Sequence, residues 1–99
     1  MHRAESVDLK WTREPQDQRV SVGSAVEIPC ESNSPSRDTK VQWFRVDEDG
    51  SNHQLVNYDS GTLRLAPVSL DHGGYYECQI SDGSTSKLVR RVKLDVLGK

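Results

Sequence analysis

The chain has 99 residues, of which 33% are hydrophobic, and its 13 basic and 15 acidic residues leave a net charge of −2. A chain of this length forms one domain with a modest core, and so few apolar residues suit a thin two-layer structure helped by a covalent staple. The balanced charge argues against nucleic acid as a partner, and no apolar run is long enough for direct membrane insertion.

Short stretches that alternate between apolar and polar residues dominate the chain, and turn residues separate them. In chain order, the alternating positions are Val7, Leu9 and Trp11; Val20 and Val22; Val26, Ile28 and Cys30; Val41, Trp43 and Arg45; Leu63 and Leu65; Tyr76, Cys78 and Ile80; and Val92, Leu94 and Val96. A short apolar piece, Leu55–Val56, comes before the segment with Leu63 and Leu65. This pattern predicts seven or eight short strands, typical of an all-β sandwich or barrel. Because proline has no backbone N–H, we expect Pro29 at a free edge or an irregularity of its strand.

The domain boundaries follow from where the strand pattern begins and ends. We expect residues 1–5 to be a tail that is disordered or was added for expression, and residues 6–97 to form the domain. The chain begins in polar residues and ends abruptly after a strand-like run. We therefore expect it to be a piece of a longer protein.

The residues that could carry metal or cofactor chemistry are few and scattered. Cys30 and Cys78 are too few for a four-ligand zinc site without help from histidine, and they form no C-x-x-C motif. The three histidines are far apart in the sequence. We expect no metal and no cofactor.

Catalytic motifs are also missing from the sequence. The acidic stretch Asp47–Gly50 lacks the ligand spacing of a calcium loop and favours a solvated hairpin turn. Asp71 and His72 are adjacent, so their side chains point in different directions and do not suit a catalytic triad with a serine. The sequence predicts that the protein is not an enzyme.

Five residues carry a resemblance to a known family. Cys30 and Cys78 lie 48 positions apart, Trp43 follows Cys30 by 13 positions, Leu63 lies between, and Tyr76 precedes Cys78 by two. This spacing resembles the immunoglobulin superfamily. The segments VSVGSAVEIPC, VQWF, SGTLRLAPVSL, GGYYECQ and VKLDV match family segments in order, so the resemblance covers nearly the whole chain.

The resemblance implies a particular set and a particular architecture. Only 20 positions separate Trp43 from Leu63, too few for the two extra strands of a variable-type domain, so the chain resembles the intermediate set or the related constant-like set. The resemblance implies an immunoglobulin-like antiparallel β-sandwich of two sheets, joined by a Cys30–Cys78 disulfide. In the family, the tryptophan packs on this disulfide and the tyrosine hydroxyl bonds back to the corner backbone.

His72 departs from the family pattern. Family members usually have an aspartate at this position that commonly pairs with a basic side chain, whereas here the acid is Asp71. The usual salt bridge is therefore not implied for this chain. We expect His72 to be a surface or corner residue.

The functional implication is a non-catalytic extracellular module of a multidomain cell-surface receptor or of an adhesion or guidance protein. Strand alternation sends Gln42, Phe44, Tyr75 and Glu77 outward, and exposed aromatic residues are frequent in recognition sites. The alternative is that the aromatic residues only stabilise the sheet by cross-strand packing. The implied partner is another cell-surface or matrix protein, a neighbouring immunoglobulin domain, or a second copy of the chain.

Trp11 is a further candidate for partner contact. It either packs under a strand switch near Pro15 or stays exposed and contacts a neighbouring domain.

Two alternative functions remain open at this stage. The basic residues Lys87, Arg90, Arg91 and Lys93 suit a sulfated glycan such as heparan sulfate, unless Arg91 and Lys93 pair with Glu77 and other acids. The domain could instead be a spacer in an intracellular cytoskeletal or muscle filament. The paired cysteines favour the extracellular side, and the absence of an N-x-S/T acceptor favours the intracellular one.

Overall fold

The computed structural model describes residues 9–34, 38–55, 58–59, 61–83 and 87–98. The expected tail and the predicted strand positions Val7 and Val56 lie outside these residues. The described strands are β1 (Trp11–Arg13), β2 (Gln18–Ser21), β3 (Val26–Ile28), β4 (Glu31–Ser32), β5 (Lys40–Val46), β6 (Asn52–Gln54), β7 (Tyr58–Asp59), β8 (Thr62–Leu65), β9 (Gly74–Ser81) and β10 (Lys87–Leu97). One turn of 3₁₀ helix, Leu70–His72, lies between β8 and β9.

The strands form two layers. One layer is a five-stranded sheet in the order β2-β10-β9-β5-β6. The other contains the three-stranded sheet β3-β8-β7 and the pair β1-β4. Every strand pair in these sheets is antiparallel except β2 with β10, which is parallel. The prediction of an all-β immunoglobulin-like sandwich is confirmed.

Two prolines explain where the chain interrupts its strands. Pro29 lies between β3 and β4, so its missing N–H costs no ladder hydrogen bond. Pro15 is fully buried and lies between β1, which pairs in one layer, and β2, which pairs in the other. The chain therefore changes layers at Pro15.

The core lies between the two layers and is built on the disulfide. Cys30 and Cys78 are joined in a disulfide, and Trp43 lies opposite Cys78 in the β5–β9 register. The indole Nε1 of Trp43 donates to the Gly61 carbonyl at 3.0 Å, which satisfies the one polar atom of this buried ring. The buried hydrophobic residues are Val26, Ile28, Cys30, Trp43, Val46, Leu63, Leu65, Val68, Tyr76, Cys78, Ile80, Val92 and Leu94.

The backbone at Gly61 requires a glycine. Its φ is +86°, and an added Cβ would lie 2.7 Å from the Cys30 carbonyl oxygen. The backbone at Gly61 therefore lies directly against the backbone of Cys30, which leaves no room for a side chain at position 61.

The short apolar piece Leu55–Val56 did not indicate the edge strand that precedes it. That strand, β6, covers Asn52–Gln54, and its three residues are all exposed. Main-chain pairing holds this edge strand, with Phe44 opposite Gln54 and the Leu55 N–H donating to the Trp43 carbonyl at 2.9 Å. An edge strand with no buried side chain leaves no hydrophobic signal in the sequence.

Candidate interaction surface

The side of the five-stranded sheet that points away from the core is called the outer face below. The registers set its rows of side chains: Arg91, Glu77 and Phe44 lie side by side in one row, and Lys93, Tyr75 and Val46 in the next. A third row contains Val89, Gln79 and Gln42, and a fourth contains Lys87, Ser81 and Lys40. The structure therefore brings the predicted outward residues of β5 and β9 together on one face.

Glu77 lies on this face but is only 8% exposed. Its carboxylate accepts hydrogen bonds from Gln79 Nε2 at 2.7 Å, Arg91 Nη2 at 3.3 Å and Asn52 Nδ2 at 3.4 Å. These three side chains come from β9, β10 and β6, and together they cover the carboxylate of Glu77. Glu77 therefore links side chains of three strands by hydrogen bonds and offers little surface to a partner.

The accessible apolar surface of the outer face comes from two residues. Tyr75 is 48% exposed and Val89 is 49% exposed, whereas Phe44 and Gln42 are half-buried. Tyr75 is a residue that strand alternation predicts to be outward, and alternation on β10 places Val89 outward with Lys87 and Arg91 in the same way. Tyr75 is therefore the exposed aromatic side chain of the outer face, and it lies in the row next to the β5–β6 turn.

The four basic residues of β10 do not share one side. Lys87, Arg91 and Lys93 lie on the outer face. Arg90 lies opposite Cys78 in the other half of the alternation, and its Nε pairs with Glu14 Oε2 at 3.3 Å. The expected pairing of Arg91 with Glu77 is present, at 3.3 Å. Three residues of the predicted basic cluster therefore lie on the outer face, and Arg90 points to the other side of the sheet.

An open cleft of about 640 Å³ lies at one end of the outer face. Its lining residues are Arg45, Val46, Asp47, Glu48, Gly50, Gly73, Gly74, Tyr75 and Arg91. A volume of this size falls within the range of side-chain and small-ligand pockets.

The β5–β6 turn forms the acidic wall of this cleft. The Asp47 N–H donates to the Ser51 carbonyl at 2.8 Å, so residues 47–51 form the hairpin turn that the sequence predicts. The Ser51 N–H donates to Asp49 Oδ1 at 2.8 Å, and this bond lowers the pKa of the Asp49 carboxyl. Asp47 pairs with His53 at 2.7 Å. The turn therefore presents fixed negative charge beside the cleft.

Arg45, Gly73 and Gly74 line another part of the cleft and are held together by contacts with Tyr76 and His72. The Tyr76 hydroxyl donates to the His72 carbonyl at 2.5 Å, and Arg45 Nη1 donates to the same hydroxyl at 2.6 Å. Arg45 Nη2 donates to the Gly73 carbonyl at 2.6 Å. Gly74, with φ +140°, leaves room for this arginine, because an added Cβ would lie 2.9 Å from Nη2.

Arg45 therefore binds the backbone carbonyls of His72 and Gly73, at the corner where family members usually have an aspartate. The His72 side chain has a separate role, since its Nδ1 accepts the Ser69 N–H at 2.9 Å and caps the 3₁₀ turn. Burial raises the pKa of the Tyr76 hydroxyl, although Arg45 acts in the opposite direction. The contacts of Arg45 with the corner backbone were not predicted from the sequence. The signal that could have found them is a charged residue at an inward position of β5.

Trp11 is half-buried and packs against the core. It lies opposite Ser32 in the β1–β4 pair, far from the outer face in the fold. Trp11 therefore packs partly on the core, and its contact with a neighbouring domain stays a prediction.

Within the described part of the chain, two other kinds of site are not found. No group of three or more histidine, cysteine, aspartate or glutamate side chains is placed to hold a metal ion. No helix there is long and apolar enough to span a membrane.

Comparison with curated proteins gives partial matches to much longer chains. The alpha chain of the B-cell antigen receptor complex-associated protein from Bos taurus is 36% identical over 74 residues, which are 70% of this chain and 32% of that protein. Inactive tyrosine-protein kinase 7 from Homo sapiens is 32% identical over 89 residues, 89% of this chain and 8% of that protein. The chain thus spans about a third or less of the length of these relatives.

Solved structures share the fold. The N-terminal four immunoglobulin domains of Dscam1 isoform 6.9 superpose with a TM-score of 0.80 at 20% identity, covering 99% of this chain and 27% of that one. Immunoglobulin domains 1–5 of Sidekick-1 give 0.76 at 25% identity, with 92% and 20% covered. A titin M10–obscurin-like 1 complex gives 0.70 at 19% identity, with 96% and 98% covered.

A family model for the immunoglobulin domain, a generally non-catalytic fold, matches residues 10–82. Together with the sandwich and its Cys30–Cys78 disulfide, this match confirms the resemblance read from the sequence. The chain belongs to the immunoglobulin domain family.

Proposed function

We propose that this chain is an extracellular module of a multidomain cell-surface receptor or adhesion protein, and that it binds a protein partner through the outer face. The observation that carries the proposal is Tyr75, an aromatic side chain that is 48% exposed on the outer face and lies at the edge of a cleft. Partly exposed aromatic residues beside a pocket are the usual anchors of protein interfaces. The relatives support the same class, since they include a receptor-complex chain and an inactive kinase.

The module works by binding and not by catalysis. Several ionisable groups around the outer face already have structural partners: Glu77 pairs with Arg91, and Asp47 pairs with His53. Arg45 donates to the Gly73 carbonyl. These groups therefore serve contacts within the fold.

The extracellular location rests on the disulfide, because disulfides persist in oxidising compartments. The test is a count of free thiols in protein isolated from its native source, under denaturing and non-reducing conditions. We expect no reactive thiol. Two reactive thiols would favour the other candidate, an intracellular spacer in a cytoskeletal or muscle filament.

Recognition is tested with a multimer of the chain applied to cells that each display one cell-surface ectodomain. We expect Tyr75→Ala to reduce binding to the partner at least about tenfold, the loss of one interface anchor. The matched control is Leu70→Ala, because Leu70 is 62% exposed and lies on the 3₁₀ turn, outside the rows of the outer face. Equal binding by the wild type and Tyr75→Ala would place recognition elsewhere on the domain.

A further inference from the structure

An apolar patch lies at the end of the sandwich where β2 and β10 end and β9 begins. Of the exposed large hydrophobic residues in the described ranges, Tyr75 and Val89 lie on the outer face, and the other three lie at this end. These three are Val22 just after β2, Leu70 on the 3₁₀ turn, and Leu97 at the end of β10. They are called the end patch below, and Leu70 is its most exposed member.

The three residues of the end patch are neighbours in the fold. The Val22 N–H donates to the Leu97 carbonyl at 2.9 Å, which joins the end of β2 to the end of β10. The Cδ2 of Leu70 lies 3.7 Å from the position that a Cβ on Gly98 would occupy. The patch therefore extends from the residue after β2, across the end of β10, to the 3₁₀ turn.

The fold of the domain does not depend on the Leu70 side chain. The His72 side chain caps the 3₁₀ turn, and no residue of this turn is buried. Burial of a leucine side chain is favourable, and here the gain is realised only when another surface covers it. Polar residues adjoin the patch: Asp71 follows Leu70, and Arg19 pairs with Asp95 near the ends of β2 and β10. An apolar centre with a polar rim is the usual composition of a contact between proteins.

We propose that the end patch binds the domain that follows this one along the same polypeptide, with Leu70 inserted into the contact. This inference rests on the proposed multidomain function, and it names the neighbour and the residues that hold it. The chain spans about a third or less of the length of its curated relatives, which leaves room for such a neighbour.

The path of the chain favours this occupant over a free partner. Leu97 is a patch residue and also the last residue of β10, so a following domain is attached at the patch itself. A short tether gives an effective concentration on the order of 1 mM, at which a small contact is sufficient for docking. The docked neighbour then fixes the direction of the outer face relative to the rest of the protein.

The experiment uses a ¹⁵N-labelled fragment of the parent protein that contains this chain and the domain directly after it. We expect the amide signals of Val22 and Leu70 to differ from those of the isolated chain. We also expect equal rotational correlation times for the two domains in ¹⁵N relaxation. Leu70→Asp places a charge in the contact, and we expect it to lower the ratio of docked to free molecules at least about tenfold. The two correlation times should then separate.

The control is Val89→Asp in the same fragment, because Val89 is an exposed apolar residue of the outer face and lies outside the end patch. We expect it to change the ratio less than about twofold, as for an ordinary surface substitution. The amide spectrum of Leu70→Asp in the isolated chain shows whether its fold is intact. In the isolated chain the end patch has no attached neighbour, so Leu70→Ala remains a valid control for binding through the outer face.

Three results would overturn the inference: a parent protein in which no folded domain directly follows this one, separate correlation times in the wild type, or a Leu70→Asp variant that stays docked. Self-association of the isolated chain that Leu70→Asp abolishes would assign the patch to a second copy and would also overturn it. If the domains tumble separately while Tyr75→Ala still reduces binding to a displayed ectodomain, only the docked neighbour fails. If the parent protein contains no other domain, the multidomain part of the proposed function fails as well.

Discussion

Arg45 and Tyr76 are joined by two different contacts across the β5–β9 pair. Arg45 Nη1 donates to the Tyr76 hydroxyl at 2.6 Å, and the guanidinium carbon lies 4.9 Å from the centre of the Tyr76 ring. The same guanidinium holds the carbonyls of His72 and Gly73, at 3.1 Å and 2.6 Å. One cation therefore ties the core tyrosine to the backbone that leads into β9.

Replacing Arg45 by methionine tests this tie. The variant keeps most of the apolar stem but leaves the Gly73 carbonyl without the hydrogen bond from Arg45. We expect the free energy of unfolding to fall by about 2 kcal/mol, measured by urea denaturation. The control is Arg64→Met, which removes only the exposed ion pair with Glu27 and should cost less than about 0.5 kcal/mol. Equal losses in the two variants would contradict a special role for Arg45.

Tyr76→Phe removes the hydroxyl and with it the hydrogen bond to the His72 carbonyl. We expect a loss of about 1 to 2 kcal/mol at pH 7. Burial raises the Tyr76 pKa in the folded chain, so the unfolded chain releases this proton first. The stability that the neutral hydroxyl contributes is therefore complete below about pH 10 and declines as the pH rises further.

Urea denaturation of the wild type and Tyr76→Phe between about pH 8 and about pH 11 measures this decline. We expect the difference in unfolding free energy between the two proteins to shrink as the pH rises. Tyr75→Phe, which removes an exposed hydroxyl, controls at neutral pH and should stay within about 0.5 kcal/mol of the wild type. A difference that is constant across the pH range would show that the raised pKa of Tyr76 has no effect on stability.

His72 supplies a side-chain cap to the 3₁₀ turn, because its Nδ1 accepts the Ser69 N–H at 2.9 Å. His72→Ala leaves that donor without its cap, and we expect a loss of about 0.5 to 1 kcal/mol. His72→Gln keeps an acceptor that can reach the same N–H and should recover most of the loss. Thermal denaturation compares the three proteins. If glutamine is as destabilising as alanine, the histidine contributes by packing and not by capping.

Gly61→Ala separates the cost of a close approach from the cost of an unusual φ. Gly23 has a similar φ, +93° against +86°, but nothing lies within 4 Å of its added Cβ. Gly23→Ala is therefore expected to lower the free energy of unfolding through the backbone conformation alone, by about 1 kcal/mol or slightly more. Gly61→Ala also meets the Cys30 carbonyl, and we expect at least about 2 kcal/mol of further destabilisation by urea denaturation. Similar losses at the two positions would show that the backbone near Cys30 adjusts freely.

The core could be predicted from the sequence because it contains rare residue types at characteristic positions. Two cysteines, a tryptophan and a tyrosine at fixed spacing fit few folds, and each of them is buried in the sandwich. Alternation also assigned the correct sides of β5 and β9. Alternation did not find β6, because this strand pairs with β5 at the edge of the sheet and its exposed side chains carry no apolar pattern.

The outer face was harder to predict because its properties depend on several strands at once. Glu77 alternates outward, but side chains from β6, β9 and β10 cover it, and no single strand reveals that. Arg90 and Arg91 look alike in the sequence, yet they point to opposite sides. The cleft combines residues from β5, the hairpin turn, β9 and β10, so only the folded registers bring it together.

The change of layers at Pro15 has a mechanical consequence. Because β2 runs parallel to β10, the chain enters β2 opposite Leu94 and leaves β10 at Leu97, at the other end of the same pair. Tension applied along the polypeptide therefore slides the two strands past each other and strains their hydrogen bonds together, whereas two strands pulled from the same end would separate one bond at a time. We therefore expect the pair of β2 and β10 to resist a pull on the two ends of the chain more strongly than a pair loaded from one end.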